Sequence, residues 1–412
     1  MARRKLTWVA AAVVVVALGV CGSVLAGPSQ ARAQGTGLGP AAATGALGLD
    51  LMRAQGPGNL VLSPDSIAAA LALTGTGSAG RTATEIADTL HLRGPGDFAE
   101  MGDLQRRIAA EQATAAVGDP EPPTLAIANG LFLQQGLPVE PGFLSGLGQH
   151  FGAVPEIVDF EHEPTSALET INRWVSDHTY GLIPRILDTL PPGMALALAN
   201  AVYLKASWLY PFEKQETSRG RFHASGGRIT AQFMHQAESL RYGSGQGYRA
   251  VELPYRSSTL SLLVVLPVGR RLGSLQHRLG GRGLVRITRG LSRRPVNLSL
   301  PRFHLNTEAE LKGALIELGM PTAFSESANF SRITRAVGLK IAFVKHAADL
   351  TVDEKGTEAA AATVVGVTVK SRRRPPPDAV TFNANRPFLF FLRDTRTGTV
   401  LFAGRLAKPT PP

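Results

Sequence analysis

Nine histidines and a single cysteine limit the chemistry that this 412-residue chain could perform. No two histidines stand at the H-x-x-x-H or H-E-x-x-H spacing that sets a pair of imidazoles on one helix face. A metallohydrolase therefore has no local support, and with Cys21 as the only thiol no thiolate cluster can form, so neither a metal nor a cofactor is implied. No G-x-S-x-G elbow occurs. A dispersed Ser-His-Asp triad stays open as a class, but no motif recommends one. Gly75-Thr76-Gly77-Ser78-Ala79-Gly80 matches the dinucleotide fingerprint as a string, yet it follows a helix-like segment where the fingerprint requires a strand. It reads as a turn between helices.

The chain opens with Arg3, Arg4 and Lys5, followed by an almost unbroken apolar run from Leu6 to Val20 and then small residues. That order describes an export signal, and the run is short for a membrane span. Val24-Leu25-Ala26 and Ala31-Arg32-Ala33 both offer small residues at the cleavage spacing. An uncleaved anchor, or a lipid on Cys21, are the competing readings. Residues 1–33 are assigned to the signal and the start of a tether, and 34–412 to one domain. The protein is expected outside the cell, either free or held at the surface. Cleavage after Ala26 would leave no cysteine, so packing rather than disulfides would carry stability. The formal charge of +11 would fall to +8.

Helices are expected over 41–55, 63–73 and 80–91, the second announced by Ser63 as cap and Pro64 in the first turn. Residues 118–123 read as a loop. Strand-like runs follow at 124–133, 194–206, 260–266, 296–303 and 341–352. The mixture lacks strict alternation, which argues for α+β over a doubly wound sheet. The arginine- and proline-rich stretch 371–378 resembles an interdomain linker, but only residues 379–412 follow it. They hold two apolar strands, Phe388–Leu392 and Val400–Phe402, around a turn at 395–398. A lone hairpin is not stable in water, so these strands must complete a sheet laid down earlier. The basic stretch is then an exposed excursion from a single domain, where binding function tends to sit.

Just before it runs Asp353-Glu354-Lys355-Gly356-Thr357-Glu358-Ala359-Ala360-Ala361-Ala362-Thr363. By propensity, Thr357 onward is a capped alanine-rich helix. A second account is a segment that waits outside a sheet and enters it later: small side chains for the inserting face, with Gly356 as pivot. Alanine is a poor strand former, which suits waiting.

Several stretches together resemble the serpin family. Asn59-Leu-Val-Leu-Ser-Pro-Asp-Ser-Ile67 is similar to its first core helix. Leu198-Ala-Asn-Ala-Val-Tyr-Leu-Lys-Ala-Ser-Trp208 is similar to the third strand of its main sheet, with Pro211-Phe212 following. Asn329-Phe330-Ser331-Arg332-Ile333, His346 to Gly356, Asn385 to Asp394 and Leu401 to Arg405 match further family segments in order. The resemblance implies an α+β serpin fold of three β-sheets with eight or nine helices and an exposed C-terminal reactive loop, here about 354–378. It implies a suicide inhibitor: a serine protease attacks the loop, and the cleaved loop enters the main sheet with the protease attached. It assigns the hinge to Glu354, Gly356, Thr357, Glu358, Ala359, Ala360, Ala361 and Ala362, of the small-residue type found in inhibitory members. It assigns the shutter and breach under and above the sheet to Ser63, Ser66, Asn200, His346 and Trp208, with Asn200 and His346 hydrogen-bonding across the sheet as a latch. None of these residues is catalytic. Asp349 departs from the apolar residue common at its place, and alternation from His346 puts it on the outward face.

The family's count from the hinge glycine places the scissile bond fourteen residues on, at Lys370-Ser371, which suits a trypsin-like target. Counting back from Phe382 gives Arg373. Arg372 and Arg373 remain alternatives, and Lys370-Ser-Arg-Arg373 resembles a site for dibasic-specific, subtilisin-like proteases. The implied partner is the target protease, in a covalent one-to-one complex with a monomeric inhibitor. The run Arg270, Arg271, Arg278, Arg282, Arg286, Arg289, Arg293 and Arg294 could bind a polyanion or be a solvated edge. No specific nucleic acid is implied. A non-inhibitory, chaperone-like binding serpin is the alternative.

Overall fold

The computed structural model describes residues 10–20, 37–115, 117, 119, 122–269, 272–357 and 378–409. Nine α-helices lie among them: α1 (Pro40–Ala54), α2 (Pro64–Thr76), α3 (Gly80–Thr89), α4 (Phe98–Ala115), α5 (Pro141–Gly146), α6 (Pro164–His178), α7 (Leu272–Arg278), α8 (Gly281–Arg289) and α9 (Lys312–Glu317). The helices expected from capping and pattern are α1, α2 and α3. Ser63 caps α2 by accepting from the Ser66 amide at 3.1 Å, and Pro64 occupies its first turn. The glycine-rich string at 75–80 is the turn from α2 to α3.

The strands form two hydrogen-bonded networks. The first, in the order β11 (Phe303–Glu310), β12 (Leu339–Val352), β1 (Ala10–Val20), β5 (Met194–Ser207), β3 (Thr124–Gln134), β4 (Val154–Val158), carries β13 (Gly356–Thr357) as a short addition on β5. The second runs β14 (Val380–Asn383), β10 (Ser292–Pro301), β7 (Gly227–Gly245), β8 (Tyr248–Pro254), β9 (Leu260–Pro267), β15 (Phe388–Asp394), β16 (Val400–Leu406), β2 (Leu60–Leu62), with β6 (Ser218–Ala224) on β7. Three sheets are implied by the family, whereas hydrogen bonding here is continuous through two of them. The cause is β7, whose 19 residues pair in turn with β6, β10 and β8.

Core packing follows the two-residue period of the first sheet. Val14, Val16, Leu18, Leu196 and Leu198 point toward α1, α2 and α4. Val15, Ala197, Ala199, Ala201 and Ala347 pack with Ile171 and Val175 of α6 on the opposite face. At its upper end, Val202, Leu204, Ala348, Leu350 and Val352 pack on the second sheet.

The central place of β1 is the main departure from the sequence reading, which sets Leu6–Val20 in a leader outside the folded domain. Here Ala10–Val20 is antiparallel to both β12 and β5, and Val14, Val15, Val16 and Leu18 are fully buried. The two assignments draw on one composition. A run of alanine, valine and leucine is what an export signal needs, and it also satisfies a strand buried on both faces.

The C-terminal hairpin behaves as expected. All seven residues of β15 and all seven of β16 are buried, and the pair is wedged between β9 and β2. Close approach is obligatory at Gly404, where a Cβ would stand 2.2 Å from the Phe390 ring and 2.4 Å from the Leu60 carbonyl oxygen. Gly404→Ala should therefore destabilise the fold, by about 1–3 kcal/mol typical of overpacking, read as a lowered denaturant midpoint with unchanged slope.

Candidate functional site

The chain leaves β12 at Val352, turns through Asp353, Glu354 and Lys355, and re-enters the first sheet as β13, where Gly356 pairs with Ser207 and Thr357 with Ala206. The turn is closed by its own side chain. Asp353 Oδ1 accepts from the amides of Lys355 at 2.9 Å and Gly356 at 3.3 Å. Trp208 holds it from above: its indole N–H donates to the Asp353 carbonyl at 2.9 Å and its amide to the Lys355 carbonyl at 2.8 Å. Glu354 is buried, accepts from the Thr217 hydroxyl at 2.7 Å and faces Arg302 at 3.4 Å. Thr357 is fully buried and shares a hydrogen bond of 2.5 Å with the Tyr255 hydroxyl, whose ring stacks on Trp208. A Cβ on Gly356 would fall 2.1 Å from the Ala206 carbonyl oxygen, so the glycine is required by close approach to β5. At Thr357 the backbone is therefore a strand rather than the start of the alanine-rich helix that propensity favours. Glu358, Ala359, Ala360, Ala361 and Ala362 lie outside the described residues, as do Lys370, Ser371, Arg372 and Arg373.

Below the hinge, the shutter residues meet under the sheet. His346 Nε2 accepts from the Ser63 amide at 3.2 Å, and the Ser66 hydroxyl donates to the Asn200 carbonyl at 3.2 Å. The Asn200 amide donates to Asn129 Oδ1 at 2.8 Å and to Gln105 Oε1 at 3.3 Å, and Gln105 in turn donates to Asp65 at 2.9 Å. Sequence reasoning did not single out Asn129, Gln105 or Asp65; Asp65 and Asn129 could have been found as polar residues inside largely apolar elements, whereas Gln105 stands among the polar residues of α4 and carries no such signal. The latch expected between Asn200 and His346 is not made directly. Val14 stands opposite both, so β1 separates the two strands that carry them.

Asp349 lies on the face that alternation assigns, opposite to His346, yet it is enclosed, with His304 at 2.8 Å and Asn306 at 3.2 Å on its Oδ2. Partners from β11 make burial tolerable there. Arg278, Arg282, Arg286, Arg289, Arg293 and Arg294 are exposed along α7, α8 and the start of β10, while Arg270 and Arg271 fall outside the described residues. Beside α8 is a cavity of about 390 Å³, which the sequence did not point to, lined by Arg241, Arg289, Arg393 and Arg396. Two of these are committed to one buried carboxylate, Arg241 at 2.7 Å and Arg393 at 2.6 Å from Glu252. Among the described residues no group of three or more His, Cys, Asp or Glu could hold a metal, and no helix is long and apolar enough to cross a membrane.

The sequence and the fold are similar to those of known proteins. The family model for serpin, serine protease inhibitor, matches residues 43–409. An uncharacterized serpin-like protein of Thermococcus kodakarensis is 33% identical over 353 residues, spanning 85% of this chain and 81% of the relative. The human leukocyte elastase inhibitor is 32% identical, spanning 85% of this chain and 93% of that one. The solved structure of a cleaved serpin, Serpin 42Da, superposes with a TM-score of 0.77 at 28% identity, covering 90% of this chain and 99% of that chain. The chain belongs to the serpin family, whose general activity is inhibition of serine proteases.

Burial gives the hinge a pH dependence. It pushes the Asp353 carboxyl up to about 6, against the pull of the two amides that favour its charged form. A carboxyl raised in the fold contributes stability that is full below its unfolded value near 4 and is lost as pH rises through 6. Asp65, pushed up to about 6 by burial, has the same sign. Asp353→Asn keeps an oxygen acceptor and removes the titration. Its melting temperature should gain on that of the parent between pH 4 and 7, by the equivalent of up to about 3 kcal/mol. Parallel curves for parent and variant would refute the assignment.

Proposed function

We propose that the protein is an exported, monomeric suicide inhibitor of trypsin-like serine proteases. The protease cuts the loop after Lys370, forms an acyl-enzyme, and is trapped as the loop enters the first sheet beside β5. The observation that carries this is β13: the hinge enters the sheet at Gly356 and Thr357 in register with β5. Continued in that register, Val369 would face Met194, the first residue of β5, and Lys370 would be the first residue past its end. A loop cut after Lys370 thus fills the length of β5 and passes its end by one residue, whereas one cut after Arg373 would pass it by four. Similarity to the leukocyte elastase inhibitor supports an inhibitory role. The leader supports export, and the exposed arginines of α7, α8 and β10 supply a surface for polyanions.

The central test is a denaturing gel after mixing the chain lacking its leader with trypsin. A covalent complex is expected; simple cleavage or no change would point to a non-inhibitory serpin. In the same register Thr363 would face Asn200, so Thr363→Arg would place an unpaired charge in the sheet only once the loop has entered, costing roughly 3 kcal/mol or more. It should be cleaved by trypsin without trapping it, and undiminished complex formation would sink the insertion mechanism.

The released C-terminal fragment fixes the bond. Mass spectrometry should find it starting at Ser371. A start at Arg374 would move the scissile residue to Arg373 and the target toward dibasic-specific proteases.

A further inference from the structure

The loop's expected place beside β5 is already filled. β1 and β13 are both antiparallel to β5 and lie end to end along it: Thr357 faces Ala206, Ala10 faces Leu204, and a single β5 residue, Lys205, separates them. Extending the β13 register therefore superposes each loop residue on a β1 residue. Ala359 would take the place of Ala10, and the match runs to Val367 over Leu18, where the β1 register shifts. Over those nine positions the N-terminal segment reads Ala-Ala-Ala-Val-Val-Val-Val-Ala-Leu and the loop Ala-Ala-Ala-Ala-Thr-Val-Val-Gly-Val. Five positions are identical; of the other four, Thr363 matches valine in shape and the loop residue is one or two carbons smaller at Ala362, Gly366 and Val367. Thr363, the counterpart of Val14, has valine's shape and would bring a hydroxyl between Asn200 and His346.

We propose that the apolar N-terminal segment, residues 10–20, is a built-in occupant of the acceptor slot between β5 and β12, and that while it remains attached and in place the reactive loop is barred from the sheet. The slot is an interaction surface for a strand of small and β-branched residues, and the chain encodes two such strands that compete for it. Three features carry this: the ladders to both neighbours, the full burial of Val14, Val15, Val16 and Leu18, and the matched sequence. The uncut precursor is then a serpin with a filled sheet and no inhibitory capacity, and removing the segment empties the slot. The barring, though not the occupancy, rests on the insertion mechanism proposed above.

The test uses the full chain and its variant Val16→Asp, which places a carboxylate in the dry core and ejects the segment. Hydrogen exchange reads occupancy without reference to inhibition. Amides of residues 11–19 in β1 itself should be protected in the full chain and exchange at least a hundredfold faster in the variant, whether β5 and β12 then stay apart or close together. Equal exchange in the two would overturn the proposal. The trypsin gel reads the barring: the full chain should form no covalent complex and Val16→Asp should form one. A full chain that traps trypsin as readily as the variant would also overturn it. Because Val16→Asp could simply unfold, a synthetic peptide of residues 10–20 is added in trans. The peptide's own amides should become slow to exchange and trapping should cease, and failure of either would count against the slot as its site. A variant with an open slot that still traps nothing would instead strike the inhibitor mechanism, the occupancy having been settled by exchange.

Discussion

β5 presents a buried row of backbone amides and carbonyls toward β12, and a buried row of that kind has to be paired. β5 and β12 cannot meet this need themselves at their present separation, since each is antiparallel to the strand between them. Some third strand must stand there, or the two must close together. The rest of the molecule is arranged around that choice. α2 and its Ser63 cap form the floor beneath, Trp208 and Tyr255 close the top, and the nine-stranded network behind supports the upper half.

The polar residues under the slot follow from the same requirement. An all-apolar floor would accept any strand in any register. Ser63, Ser66, Asn200, His346, Asn129 and Gln105 instead form buried hydrogen bonds at one level of the sheet, and each carries a desolvation penalty if its partner moves away. Opening and filling the sheet must exchange these bonds, which gives a barrier to movement without a covalent tie. With one cysteine in the chain, such noncovalent barriers are the available means of holding a metastable state, should the proposed mechanism require one.

Much of the frame was legible in the sequence because its signals are local. Ser63-Pro64 marks a helix start, and the alternation in 194–206 and 341–352 marks strands. The hairpin at 388–406 had to complete an earlier sheet since it could not stand alone. Gly356 was read as a pivot, whereas its glycine answers to the Ala206 carbonyl. Long α6, the 19-residue β7 and the Asn129-Gln105-Asp65 network were missed. Their patterns are weak within each window, and their meaning arises only from partners far along the chain. The enclosure of Asp349 was hidden for the same reason: alternation gives a face, while burial depends on His304 and Asn306 of another strand.

The placement of Ala10–Val20 shows where composition stops being decisive. Apolarity and small size suit a segment for export machinery, for the middle of a sheet, or for a mobile loop that must enter one, and no residue in the run separates these uses. Position along the chain argues for the first. Register argues for the second, since ten successive residues find partners on each side with only one shift in each ladder. A serpin that carries an apolar leader therefore has two candidates for one vacancy. The leader is the more apolar of the two, with Val13, Val14, Val15 and Val16 where the loop has Ala362, Thr363, Val364 and Val365. Greater apolar area favours the leader while it is attached. If the loop enters as proposed, it has a different advantage: Gly356 and Thr357 already pair with Ser207 and Ala206, so its entry would need only propagation along a strand whose first bonds are made. On the proposed mechanism, which strand fills the sheet would be set by whether the leader is still present.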